Sequence, residues 1–444
     1  MSMAAWFSAY FIMPITGNFI HSVELGISII FAAAAAAYAY VFFRMSARKH
    51  EQSGKFSVAL SLFFLLLHFL IFRTKNEAND HLLTGFHDTC TFFVYYFSFL
   101  WNGILILYLM CDDYFENKQG KPMFVRGLVL TAVYFGIFSN LHQSCMLAVY
   151  AFIEMCWQIL SQWKEFRLKQ FCRRFGLQLF ILFSWFLSFY FEFKGGRSQQ
   201  VGIRDLHQLW AQFQDTLRNL LNRLQSMNGY FLEAAVVCFA VFLSVVIIRI
   251  FYKNIHTHIH ILGERELEEH ISTSVKMLVG SLIVLVFLCT LCAVSKPWDI
   301  SRGDVLNSCI FFFFLFMMEQ IQFLLRTINP LKLVFPLIII LCFFNTITTG
   351  RTWMVRTTGR VNYAIAQQVT SDLVDDFLEA DQSGQNNIEI HVPLFNYGDN
   401  YPLATYAPGT VSNVLYKYGV TNNRINAVFI PDPGLNEKYG LPVP

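Results

Sequence analysis

Charge is scarce in this sequence: Asp, Glu, Lys and Arg make up 14% of 444 residues, against about a quarter in an ordinary soluble domain. That scarcity excludes a water-solvated surface over most of the chain. The ten cysteines end at Cys342 and lie mostly in or beside apolar runs, which excludes a disulfide-stapled secreted domain. Cys289 and Cys292 form a CxxC inside such a run, where packing outranks metal or redox chemistry. No Lys or Arg precedes the first apolar run, so a cleaved signal peptide is not expected. A phosphate-binding loop and a dinucleotide fingerprint are both missing, which argues against nucleotide hydrolysis. No internal repeat or coiled-coil heptad stands out beyond the run Ala32–Ala37, a sequence suited to close helix packing. Nothing points to nucleic acid.

What is abundant is hydrocarbon. Hydrophobic residues make 55% of the chain, and phenylalanine alone contributes 48. Apolar runs near the length of a membrane span recur at 22–44, 56–72, 91–110, 126–138, 145–160, 175–193, 229–251, 274–294, 305–325 and 332–349. Residues 3–20 offer an eleventh, weakened by Pro14 and Gly17. The expected fold is therefore an α-helical polytopic membrane protein of ten or eleven spans over residues 1–349.

Lys and Arg near the span ends orient such a bundle. One set of connections carries Arg44, Arg48, Lys49 and Lys55, then Lys118, Lys121 and Arg126, then Lys164, Arg167, Lys169, Arg173 and Arg174. It continues with Arg249, Lys253, Arg265 and Lys276 and ends with Arg326 and Lys332. The short connections of the other set hold only Arg73 and Lys75, none at 139–144, and Lys296 with Arg302. The bias alternates along the whole chain. The first set is expected in the cytoplasm, and 73–90, 139–144, 194–228, 295–304 and the tail outside.

Within 204–226, Leu206, Leu209, Trp210, Phe213, Leu217, Leu220, Leu221 and Leu224 recur at three- and four-residue steps. That spacing predicts an amphipathic helix in the membrane interface, which seals a loop to the bilayer or guides a lipid-linked substrate. The tail, 350–444, reads as a small exoplasmic α/β domain: a polar-faced helix over 352–380, strands at 388–394 and 427–431, and a short helix in "TVSNVLYKYGV".

The chemistry collects on the outer side. Residues 73–90 supply Glu77, Asp80, His81, His87 and Asp88; "SNLHQS" supplies Asn140, His142 and Gln143. "FKGGRSQQ" supplies Gly195, Gly196 and Arg197, and "KPWDISRGD" supplies Lys296, Asp299, Arg302 and Asp304. A carboxylate or imidazole can take a proton from an attacking hydroxyl. The guanidinium fork matches phosphate oxygens, and paired glycines let backbone approach closely. Each of these residues has a bland alternative, since extramembrane loops need polar side chains simply to be wet. Inside the spans, His68, Glu154 and Glu319 are too scattered for a proton path, and the two glutamates are expected to reach the cytoplasmic interface. His256, His258 and His260 alternate in a cytoplasmic loop, a weak zinc pattern.

The order of the outer elements resembles bacterial polytopic proteins of surface-polysaccharide clusters, akin to O-antigen-modifying glucosyltransferases of the multi-span GT-C type. "SNLHQS" is similar to their Asn-x-His-Glu turn, with Gln143 at the acidic position. "KGGRSQQ" stands where they carry a PGN..R stretch, and "KPWDISRGD" where they carry P..R. The likeness covers about 130–444. It implies a glycosyltransferase of the bacterial inner membrane that moves a sugar from a polyprenyl-phosphate donor to an acceptor glycan on the outer face. Arg197 and Arg302 would hold the donor phosphate, with Asn140 and His142 lining the sugar site. The family's acidic pair after the first span has no counterpart, because residues 1–24 offer only Glu24. Asp80 and Asp88, with His87, are then the candidate catalytic groups. No clear ligand set marks a divalent cation, which stays a possible addition. The rivals are a transporter or flippase of lipid-linked glycan, expected to show broken helices or a polar path through the bilayer, and a non-catalytic assembly partner.

Overall fold

A computed structural model describes residues 2–49, 54–71, 91–111, 114–117, 120–161, 168–195, 206–225, 227–252, 264–348, 363–394 and 407–441. The chain folds as two compact units: one built from the first 33 residues and the tail, the other from residue 34 to the end of the apolar region. The helices that follow are numbered along the chain.

The apolar region contains α1 (Phe19–Lys49), whose first half belongs to the tail unit, and α2 (Gly54–Leu70). A π-helical turn, Phe92–Phe97, runs into α3 (Ser98–Cys111). Then come α4 (Met123–Ile137), α5 (Leu141–Ser161), α6 (Leu168–Lys194), α7 (Leu206–Gln225), α8 (Gly229–Tyr252) and α9 (Glu264–Val294). A 3-10 turn, Pro297–Ser301, leads to α10 (Gly303–Thr327) and α11 (Asn329–Thr348). Among the described residues, seven helices are long and apolar enough to cross a membrane: those in α1, the π turn with α3, α5, α6, α8, α9 and α10. Four apolar helices are shorter: Ala4–Thr16, Lys55–Leu70, Met123–Ile137 and Leu331–Phe344. The protein is thus a helical polytopic membrane protein.

α10 is the hub, touching α9, α8, α5, α3, α2 and α11. Its phenylalanines Phe311, Phe312, Phe314 and Phe316 are all fully buried, because neighbours surround the helix on every side. Small residues let those neighbours close in. A Cβ on Gly280 would stand 3.1 Å from the Phe312 ring, and one on Gly136 would stand 2.7 Å from Asn102 Oδ1.

Several of the ionisable groups in this bundle are bonded to neighbours. His68 is wholly buried, with Nδ1 2.9 Å from Phe64 O and Nε2 3.3 Å from the Tyr38 hydroxyl. Glu154 and Glu319 are 13% and 10% exposed, and both are paired. Lys276 Nζ lies 2.7 Å from Glu154, and His270 Nδ1 lies 2.9 Å from Glu319. A carboxylate in a low-dielectric interior keeps its charge most cheaply beside a cation or donor.

Contacts between helix ends show which of them lie together. Asn228, ahead of α8, donates to Leu70 O and Ile71 O beyond the end of α2. α7 packs on the 3-10 turn and on α9, and Tyr95 of the π turn meets the start of α5. Elsewhere in the bundle Phe56 and Phe63 of α2 meet Phe335 of α11, and Arg249 pairs with Glu268.

In the tail unit, α12 (Tyr363–Gln382), β1 (Asn387–Pro393), α13 (Ala407–Lys417), β2 (Asn426–Asp432) and α14 (Pro433–Tyr439) follow in order. β1 and β2 run parallel, with Asn387 opposite Asn426, and α13 is the crossover between them. Leu373, Val374, Phe377, Ile390, Val392 and Leu415 form the core, and Ala9 and Phe19 from the chain's start complete it. Asn18 donates to Ser371, and Gln367 donates to Glu24, so the first residues and the tail fold together.

Candidate functional site

Local sequence sets the start of α5. The Asn140 carboxamide oxygen accepts from the His142 N–H at 2.8 Å, and its carbonyl accepts from the Ser144 N–H at 2.8 Å. Asn140 is therefore the N-cap of the helix, a position where a short side-chain acceptor satisfies an orphan donor. The next turn is clamped to α10. Gln143 is fully buried and donates from Nε2 to Asp304 O at 2.6 Å. The Ser308 hydroxyl stands 2.6 Å from His142 O and 2.9 Å from Gln143 Oε1, and its one proton serves either. Gln143, at the position where the resemblance has an acidic residue, thus spends its amide on holding two helix ends together.

The 3-10 turn presents the charges. Arg302 has extended backbone at the start of α10, and its guanidinium grips Asp304 with two bonds, Nε to Oδ1 at 3.0 Å and Nη2 to Oδ2 at 2.6 Å. Asp304 sits in the first turn of α10, where a negative charge also meets the positive helix end. Nη1 of Arg302 is 3.6 Å from Asp299 Oδ1. The guanidinium carbon lies 5.0 Å from the centre of the Tyr95 ring, and the His142 imidazole lies 5.9 Å from the same ring. Tyr95 belongs to the π turn, an irregularity that recurs at functional sites.

Burial shapes the electrostatics. It pushes the Asp299 carboxyl above its ordinary range, although Arg302 and Lys296 pull the other way. It also works against the Arg302 charge, but the bond from Asp304 more than offsets it and the guanidinium is held firmly charged. The result is one protonatable carboxylate beside one permanent cation, both partly open: Asp299 keeps 20% of its side chain exposed and Arg302 31%.

α7 borders this turn. Its apolar stripe divides into two: Leu220, beside Thr216, is buried, while Trp210, Leu217, Leu221 and Leu224 stay exposed. Gly195 closes α6, donating to Glu192 O, and a Cβ there would stand 3.2 Å from that oxygen.

Of the residues singled out in the sequence, Asn140, His142, Gln143, Asp299 and Arg302 come together, and Gly195 ends a separate helix. Asp80, His87, Asp88, Gly196 and Arg197 lie outside the described residues, as do His256, His258 and His260. The cluster adds residues that sequence reasoning passed over. Tyr95 is one aromatic in "FFVYYF" and carries no signal; Ser308 lies in an apolar helix; Asp304 stands in "KPWDISRGD" with nothing local to mark it as the partner of Arg302. Among the described residues, no three His, Cys, Asp or Glu side chains are grouped to hold a metal ion. Comparison of the chain with protein-family models, with curated proteins and with solved structures finds no match, so the site rests on its own geometry.

Proposed function

We propose that the protein is a membrane-embedded glycosyltransferase of the bacterial inner membrane. It takes a sugar from a polyprenyl-phosphate donor and passes it to an acceptor glycan on the outer face. The chain crosses ten times, counting α2, α4 and α11, and its tail lies outside. The observation that carries this reading is the grouping of Arg302 and His142 around Tyr95, with Asp299 beside Arg302. The group stands at the end of the bundle where the connections poor in Lys and Arg gather. The exposed stripe of α7 beside it suits a polyprenyl chain.

The step then runs as follows. The acceptor hydroxyl oxygen attacks the anomeric carbon and its proton passes to the Asp299 carboxylate. The bond from that carbon to the phosphate oxygen breaks, and the phosphate leaves with the electron pair, its charge stabilised by Arg302. Asp299 thus takes the role of base within the described site. Asp299→Asn is expected to lower transfer about 100-fold or more in proteoliposomes given polyprenyl-phosphate sugar and acceptor. A raised carboxyl pKa places the wild type's acid limb above the usual carboxylate range, and the variant loses that limb. Turnover within twofold of wild type would remove Asp299 from the mechanism.

The flippase reading draws on the ion pairs His270–Glu319 and Lys276–Glu154 inside the spans. Against it stands the wall of buried phenylalanines, Phe311 to Phe316, between the two polar ends of α10. A flippase leaves the donor's sugar–phosphate bond intact, which the same proteoliposome assay reads directly.

A further inference from the structure

Asn307 is fully buried, yet neither its amide nitrogen nor its amide oxygen has a hydrogen-bond partner. In a membrane protein such a group costs several kcal/mol unless something bonds it. Its place on α10 says what that is. Asn307 lies three residues after Asp304, hence on the same face and one turn further into the bundle. Phe311, four residues on, packs its ring on Phe99 of α3 and on Tyr38, so the Asn307 amide faces the segment formed by α3 and the π turn. The neighbouring residue, Ser308, touches the carbonyl of His142, whose Nδ1 is likewise buried without a partner. The His142 imidazole faces Tyr95 in that same segment.

We infer that Asn307 and His142 form the ring-binding edge of the site and take vicinal hydroxyls of a pyranose. The chemistry selects that class. An amide offers one donor edge and one acceptor edge, which pairs with hydroxyls that are each donor and acceptor. A phosphate or carboxylate meets repulsion from the amide oxygen. The ring of Tyr95, which is only partly buried, supplies an apolar face for the C–H face of a sugar ring to stack on. The inference rests on the proposed site and deepens it: phosphate at Arg302, sugar one helical turn inward. Both polar groups are shut from solvent, so a sugar reaches them only where the surrounding packing opens.

The test separates a ligand-facing amide from a structural one. Purified protein carrying Asn307→Leu, or the smaller Asn307→Val, is melted without ligand. Removing an unpaired polar group is neutral or stabilising, so at least one variant is expected to match or exceed the wild-type Tm. Both falling clearly below it would mean the amide is structural, and the inference fails. Wild type and the better variant are then melted with glucose, galactose, mannose or N-acetylglucosamine at high concentration. General sugar stabilisation raises both alike. A specific site adds several degrees to the wild type only, with at least one of the four sugars. Equal shifts with all four overturn the inference. Because neither arm reads glycan transfer, a sugar-binding edge can be established even where the transferase reading fails, and the reverse.

Discussion

Arg302→Ala is expected to destabilise the protein by about 3 kcal/mol and to abolish transfer at the same time. The alanine leaves Asp304, whose side chain is 8% exposed, without the two-bond partner that offsets its burial. Breaking a buried ion pair from one side costs about 3–5 kcal/mol, and the partial exposure of Arg302 sets the expectation at the low end. Loss of activity in this variant alone therefore does not identify a phosphate ligand. Arg302→Lys does. A lysine keeps the charge beside Asp304 but loses the planar fork, so about 1 kcal/mol of stability and about 100-fold in transfer should go. Thermal melting in detergent and the proteoliposome assay measure the two. An unchanged Tm in Arg302→Ala refutes the ion-pair account, and full turnover in Arg302→Lys refutes the phosphate role.

The second large effect lies at the opposite end of α5 and α9. Lys276→Met strands the Glu154 carboxylate inside a span at 13% exposure, and a loss of about 3–5 kcal/mol is expected. Pairing it with Glu154→Gln removes the stranded charge and should recover stability to within about 1 kcal/mol of wild type. A single variant costing under 1 kcal/mol would show that the pair is solvated. The double variant also separates the two functional readings. A transferase whose chemistry sits near Arg302 keeps its turnover, whereas a transporter that uses the charges within its spans loses movement of lipid-linked glycan.

Much of the bundle was legible in the sequence because hydrophobic length and basic flanks are local signals. The apolar run 305–325 reads as a span and is α10, but that its phenylalanines are enclosed by other helices shows only in the fold. The polar turn at Asn140 was legible as a feature, but its division of labour was not. Asn140 caps, Gln143 clamps and His142 faces an aromatic ring, and these roles depend on α10, more than 160 residues away in sequence. Pairings such as Lys276 with Glu154 leave no local trace either, since they are 122 residues apart. The tail's two strands and the short helix between them followed from alternation and turn residues, whereas the parallel pairing that makes the helix a crossover did not. That its core also takes Ala9 and Phe19 did not, because an apolar run near the amino end reads as a span before it reads as a packing surface.

The central claim is that the turn bearing Arg302 faces out of the cell and receives a lipid-linked phosphosugar. Trp298 in that turn is 55% exposed, so Trp298→Cys in a background with the ten natural cysteines replaced by Ser or Ala gives a reporter beside the site. The account predicts that a membrane-impermeant maleimide labels this cysteine in intact spheroplasts, and that added polyprenyl-phosphate sugar slows the labelling. Labelling that appears only after the membrane is opened would reverse the orientation and with it the proposed reaction.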